Sequence, residues 1–267
     1  MPRPPQVDPR RKPDYAIHSV ENALDLLNAI CDEGGEARVS QLSQRLGMSK
    51  TSVFRLLATF EQRGFVERSD DSLKYRLGLS ACEMGQKIVA RMGVLRKARP
   101  TMDRLARHCN EAVYFVVRRN DYVLMLDMVD TTQQVKIVPL VGQRFPLVST
   151  AAGRIFLSYE SDASASARKR TDAPGAPALT ATEREIIRGF GYCVEQQGFG
   201  EEVVSVAVPL LNGKGEAVAA LAILGPTFRM ASGRIETELL TSIREAGAAI
   251  SAGLGYLGDY MRRNSNS

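Results

Sequence analysis

The apolar positions change period along the chain, and the change separates two halves. From Val20 to Cys31 they follow a helical period, with Leu24, Leu27 and Ile30 on one stripe and Gly34-Gly35 ending the run. A denser pattern follows in VSQLSQRLGMSKTSVFRLLATF. Ser40 is placed to cap a short helix from Gln41 to Leu46, Gly47 supplies a left-handed stop, and Ser49 caps a second helix from Lys50 to about Arg63, ahead of Gly64. FVERS and LKYRLG read as two strands around the polar tip Ser69-Asp70-Asp71-Ser72. A helical stretch then runs from Leu79 to Arg99, broken by Gly85 and Gly93, with Met84, Ile88 and Val89 apolar; the pattern resumes through Pro100 to His108.

The second half alternates or runs apolar with β-branched residues. Val113 to Val117, Val123 to Val129 and Val135 to Val141 predict three antiparallel strands, the first two joined by a tight turn at Arg119-Asn120-Asp121. Thr150 to Tyr159 is helical, and SDASASARKRTDAPGAPA is a solvated low-complexity loop. Thr180 to Phe190 predicts a helix with Thr180 and Glu183 as a capping box. Val203 to Leu211 and Glu216 to Leu224 form a hairpin around Asn212-Gly213-Lys214-Gly215, and Ile235 to Leu254 closes the chain as a long helix. The fold class is α+β with one antiparallel sheet.

The densest stretch carries chemistry. Counted from Val39, a helix-turn-helix asks for apolar residues at places 4, 8, 10, 15 and 18, a small residue at 5 and glycine at 9; the chain supplies Leu42, Leu46, Met48, Val53, Leu56, Ser43 and Gly47. Two helices crossing at a wide angle need a small residue at the contact, a glycine in the turn and an apolar set in the angle between them. Seven matches set this reading above two unrelated core helices. The hairpin after Gly64 is then a wing. On the second helix Lys50, Thr51, Ser52 and Arg55 lie opposite the stripe Val53, Leu56, Leu57 and Phe60, in the turns that enter a major groove. Arg55 can grip guanine, while Thr51 and Ser52 can meet a base edge, a thymine methyl or a phosphate. Ser49 joins them as a cap that borders the groove. Lys74 and Arg76 on the wing are available to phosphates, or are ordinary solvated charges.

Charge agrees with that placement. The chain has 35 Lys and Arg against 30 Asp and Glu, and residues 1–100 hold 17 against 12 while the remainder balances at 18 against 18. A local basic excess attracts polyanions, of which nucleic acid is the usual one in a cytoplasmic protein. With 267 residues and 44% hydrophobic content the chain fits two modest folded domains and no fibrous repeat. Its longest apolar stretches fall short of the roughly 20 residues a membrane-spanning helix needs. The N-terminus, MPRPPQVDPRRKPD, has no apolar core to act as a signal peptide, so the expected location is cytoplasmic and no membrane partner is expected.

Catalytic and metal chemistry finds little support. Cys31, Cys82, Cys109 and Cys193 form no C-x-x-C pair, and His18 and His108 offer a metal no two ligands on one face, so neither a metal nor a cofactor is expected. No nucleophile elbow, phosphate loop or dinucleotide fingerprint is present, which predicts no enzymatic activity. What remains is the loop Gly142-Gln143-Arg144-Phe145-Pro146-Leu147, leading into Ser149-Thr150-Ala151-Ala152-Gly153 at a helix start. Backbone N–H groups there can hold a carboxylate, or the small residues serve close helix-to-sheet packing.

The whole order resembles the IclR family of bacterial transcription regulators over about residues 17 to 258. SVENALDLLNAI, LGMSKTSVFRLLATFEQRGFVER, YRLGLSACEMG, VGQRFPLVSTAAGRIFLSY, GYCVEQ and VAVPLLNGKGEAVAALAILGP carry the resemblance. It implies a winged helix-turn-helix, a connector helix and an effector-binding domain of GAF-like fold. It also implies a homodimer or tetramer on a palindromic double-stranded DNA operator, responding to a small organic acid effector. By similarity, backbone donors of the effector pocket fall at Ala151 and Ala152, an acidic residue at Glu195 and a polar one at Ser205. The chain departs from the family's pattern at Gly198, where glutamate is frequent, and at Glu202, where glycine is. Arg154 stands in place of the usual lysine, and Ala222 and Leu224 replace two hairpin serines.

Methyl groups in place of hydroxyls favour an apolar ligand body, so the expected effector is a larger, aromatic carboxylate, paired by either Arg144 or Arg154. The expected organisation is a tail over 1–14, the winged domain over 15–78, a connector over 79–99, an effector-binding domain over 100–260 and a tail over 261–267. Two other classes compete with an effector-controlled regulator: an enzyme acting on a small acid with an autoregulatory helix-turn-helix, and an architectural DNA binder using the basic tail.

Overall fold

The computed structural model describes residues 17–33, 35–69, 73–160, 179–196, 198–258 and 260. The tip of the wing at 70–72, the low-complexity stretch and both expected tails lie outside the described residues. The chain divides into two compact units, Met1–Arg91 and Met92–Ser267.

In the first unit α1 (His18–Asp32), α2 (Val39–Leu46) and α3 (Lys50–Gln62) enclose a core closed by a small antiparallel sheet. Its strands are β1 (Glu36–Ala37), β2 (Val66–Arg68) and β3 (Tyr75–Leu77), in the order β1-β3-β2. The core joins Leu26, Ala29, Ile30, Ala37, Leu42, Val53, Leu57, Val66 and Tyr75, with Leu46, Met48 and Leu56 partly buried against it. The stripe expected on α1 is corrected: Leu26, Ala29 and Ile30 carry the buried face, and Leu24 is exposed. Ser40 is also not the cap of α2. The helix opens two residues sooner, and the Gln41 side chain accepts from the Arg38 N–H at 2.9 Å, so a side chain inside the helix satisfies the group ahead of it.

The expected connector is two helices, α4 (Leu79–Arg91) and α5 (Gly93–Cys109). Neither Gly85 nor Pro100 interrupts them; the break comes at Met92, whose backbone is extended ahead of α5. Leu95 and Ala98 are buried, which puts α5 in the second unit from its start, ahead of the boundary expected at Arg99.

The second unit is built on a six-stranded antiparallel sheet in the order β6-β5-β4-β9-β8-β7. The strands are β4 (Ala112–Arg119), β5 (Tyr122–Val129), β6 (Arg144–Pro146), β7 (Cys193–Gln196), β8 (Val203–Leu211) and β9 (Ala217–Pro226). The helices α6 (Ala151–Ser158) and α7 (Ala181–Phe190) bury Ile155, Phe156 and Ile187 in one core with Tyr114, Met125, Ala207, Ala222 and Leu224. α5 and the closing helix α8 (Leu240–Gly253), which follows a π turn over Ile235–Leu239, pack on β4 and β8. Helices thus cover both faces, which is why β8 and β9 read as near-continuous apolar runs.

One expected strand is absent. Val135 to Val141 is irregular, and the edge position beside β5 is taken by β6 instead. Pro139 removes a ladder donor. Some of the segment's backbone groups bond elsewhere: Val135 O accepts from Arg229 at 2.7 Å, and Leu140 O accepts from Gln143 N at 3.0 Å.

Candidate functional site

The turn between α2 and α3 is fixed by three local devices. Gly47 sits in the left-handed region with φ of 63°. The Ser43 hydroxyl donates to Met48 O at 2.6 Å, so the residue wanted there for its small size also ties the turn. Ser49 Oγ accepts from Ser52 N at 3.1 Å and lies 2.9 Å from the Ser52 hydroxyl, making Ser49 the expected cap.

With Val53 and Leu57 fully buried, the helical period turns Thr51 and Arg55 outward. Lys50, Thr51, Ser52 and Arg55 are all exposed, and among the described residues no carboxylate pairs with Lys50 or Arg55. Phe54 is exposed in the same turns, and the apolar pattern had given it no part. The wing differs. Lys74 pairs with Glu36 at 3.3 Å, and Arg76 pairs with Glu67, its cross-strand neighbour, at 3.2 Å. A phosphate would have to draw each from a resident carboxylate.

In the second unit the residues expected around an acid fall on one layer. Thr150 caps α6 by accepting from Gly153 N at 3.0 Å, which leaves the N–H groups of Ala151 and Ala152 without an acceptor inside the helix itself. A side chain at Gly153 would come within 2.0 Å of Leu147 O, so glycine lets the helix start lie on the preceding turn. On the sheet, Glu195 stands opposite Ser205 and Ser205 opposite Leu224; in the next row Cys193, Ala207, Ala222 and Tyr114 are neighbours. Ala151, Ala152, Ala222 and Leu224 are buried in one core, and the Ser205 hydroxyl lies 3.5 Å from Glu195 O.

The charged pair at this layer joins residues far apart in sequence. Arg154 Nε lies 3.1 Å from Glu195 Oε2 and 3.2 Å from Val148 O. Arg144, the other candidate arginine, is exposed on the edge strand β6. Burial raises the Glu195 carboxyl above its ordinary value, against the opposing pull of Arg154. Burial pushes the Cys193 thiol up to about 12, which keeps it an unreactive thiol. Gly198 rests on Ser149, where an added Cβ would meet the carbonyl oxygen at 2.1 Å. Next to it Phe199 packs edge-on against Phe145 at 4.7 Å between ring centres. No local pattern links the two rings, because Phe145 sits on the edge strand β6 and Phe199 on the loop between β7 and β8, 54 positions apart.

Among the described residues no group of three or more His, Cys, Asp or Glu is placed to hold a metal, and no helix is long and apolar enough to cross a membrane.

Two family models match the chain: the IclR helix-turn-helix domain over residues 19–70, and the bacterial transcriptional regulator IclR C-terminal domain over residues 86–252. The HTH-type transcriptional regulator KdgR of Escherichia coli K12 is 28% identical, covering 92% of this chain and 95% of its own. A crystal structure of an IclR transcriptional regulator from Alicyclobacillus acidocaldarius is 25% identical and superposes with a TM-score of 0.77, covering 89% of this chain and 99% of that one. An IclR homologue from Microbacterium hydrocarbonoxydans, crystallised with 4-hydroxybenzoate, shares the fold at a TM-score of 0.71 and 20% identity, over 88% of this chain and 98% of its own.

Proposed function

Since the chain belongs to the IclR family of bacterial transcriptional regulators, which bind DNA and are not enzymes, we propose that it recognises a palindromic operator through α3 and answers to a carboxylic acid in its second unit. The observation that carries the operator half is the first two turns of α3: exposed, free of paired carboxylates among the described residues, and held at their angle by Gly47 and Ser43. Lys50, Thr51, Ser52 and Arg55 contact the groove and Ser49 borders it. Lys74 and Arg76 supply phosphate contacts at the expense of Glu36 and Glu67. Anisotropy titration of labelled duplexes from beside its own gene, with a scrambled competitor, tests this.

A homodimer, alone or paired into a tetramer, suits the palindrome. Ile17, Val20 and Leu24 on and before α1, and Met84 and Ile88 on α4, are apolar and exposed at helical spacing, as surfaces awaiting a second copy would be. Sedimentation velocity reads the assembly directly.

The effector is an aromatic carboxylate, held by the N–H groups of Ala151 and Ala152 and by Arg154, beside Glu195 and Ser205. Ala222 and Leu224 offer methyl groups where hydroxyls would suit a small keto acid, and the Phe145–Phe199 pair adds an apolar edge. The 4-hydroxybenzoate bound to the Microbacterium homologue belongs to the same chemical class. Calorimetry with aromatic and short-chain acids tests the assignment, and tight binding of glyoxylate or pyruvate alone defeats it. Such a regulator works in the cytoplasm.

A further inference from the structure

Phe54 is an apolar side chain on the wrong face for a core residue. It is 54% exposed, whereas Val53 beside it and Leu57 on the next turn are fully buried. No other large apolar side chain of α2 or α3 is exposed among the described residues. At about 100° per residue Phe54 lies off the buried line, and a helical side chain leans toward its own N-terminus, so the ring covers the turn of Lys50 and Thr51 and flanks Arg55. A single exposed apolar residue carries no meaning by itself. Its place among the polar residues at the start of α3 does.

We propose that Phe54 reads a thymine, packing its ring on the C5-methyl group in the major groove beside the base edge taken by Arg55. The inference rests on α3 being the inserted helix. Of the four bases only thymine presents a methyl group to that groove. A phenyl ring has no donor or acceptor. Set against the amino group of cytosine or adenine, or the acceptors of guanine, it strips water from a polar atom and returns no hydrogen bond. The ring therefore favours thymine both by the methyl group it covers and by the polar edges it rejects. Lys50 and Arg55 on either side, without paired carboxylates among the described residues, bring the same turn toward the phosphates.

The test uses the full chain. Binding sites are selected from a random duplex library with the wild type and with Phe54→Ala. Each thymine of the selected duplex is then replaced by deoxyuridine, removing one methyl group at a time, and affinities are read by anisotropy. One replacement per half-site is expected to weaken the wild type about fourfold, the worth of one buried methyl-sized group, and to leave Phe54→Ala unmoved, with Phe54→Leu between them. Deoxyuridine that costs nothing at every thymine, or costs wild type and Phe54→Ala equally, overturns the proposal. So does a change in oligomeric mass on Phe54→Ala, since it would assign the ring to a contact between copies. If neither protein enriches any sequence, the insertion of α3 itself fails, an outcome distinct from the other three.

Discussion

Arg154 and Glu195 face each other across the start of α6 at 3.1 Å, an ion pair formed where a carboxylate ligand is proposed to bind. Glu195 occupies the guanidinium that an incoming acid would use. The raised carboxyl of Glu195 means that desolvation outweighs its attraction to Arg154.

The sign of the pH effect follows. A carboxyl whose folded value is raised favours the folded state most when protonated, and that contribution is lost as pH rises through the folded value. Glu195→Gln should therefore melt above the wild type at alkaline pH, with the gap closing on acidification. It should also bind aromatic acids more tightly, because Arg154 is released. A lower melting temperature for Glu195→Gln at alkaline pH, measured by calorimetric scans across pH, would show the pair to be net favourable.

Arg229 holds a buried carboxylate with both ends of its fork. It reaches Glu111, 1% exposed, at 2.8 Å through Nε and again through Nη2, while Nη1 donates to Val135 O. Arg229→Ala leaves Glu111 with Arg234 as its ion-pair partner and removes the tie at Val135 O. The expected loss is about 3 kcal/mol, the lower range for breaking a buried pair, and a urea midpoint unchanged from the wild type would refute it.

Gly153→Ala should destabilise the second unit by about 2 kcal/mol or more, since the added methyl group meets the Leu147 carbonyl and not a movable side chain. Gly47→Ala has open space around it and should cost only about 1 kcal/mol, from the left-handed backbone alone. Thermal melts of the two variants set the order; Gly47→Ala as the more damaging change would be inconsistent with this geometry.

The wing makes an electrostatic prediction. Lys74→Ala should weaken all duplexes alike and flatten the salt dependence by about one phosphate contact. Glu36→Gln and Glu67→Gln should tighten binding, because each releases a basic partner. Titration at several salt concentrations separates these outcomes, and no change with Lys74→Ala would remove the wing from the interface.

The legible parts of this fold were those set by neighbours in sequence. The spacing from Leu42 to Leu56, the Ser49 and Thr180 caps and the β8–β9 hairpin each depend on contacts a few residues away. The strand at Val135 to Val141 misled because its fate is decided by Arg229, almost a hundred positions on, and by Pro139 within it. Leu24 and Leu26 were confused because a helix with apolar residues on two faces does not announce which one meets the core. In the second unit, the alternation placed Ser205 and Leu224 on strands, while Glu195 was singled out by resemblance alone and its short strand β7 carried no pattern of its own. Their alignment in one row depends on register between β7, β8 and β9, and the Arg154 partner on a helix-to-sheet approach that no local pattern encodes.

α3 carries the proposed operator contact, and the most direct measurement compares specific with scrambled duplex binding for the wild type and Arg55→Ala at one fixed salt concentration. The wild type should hold its selected operator at least about a thousandfold more tightly than scrambled DNA. Arg55→Ala should lose about 1–3 kcal/mol of that preference at one half-site position, with nonspecific binding almost unchanged. An identical specificity ratio in a folded Arg55→Ala protein would contradict the placement of α3 in the groove.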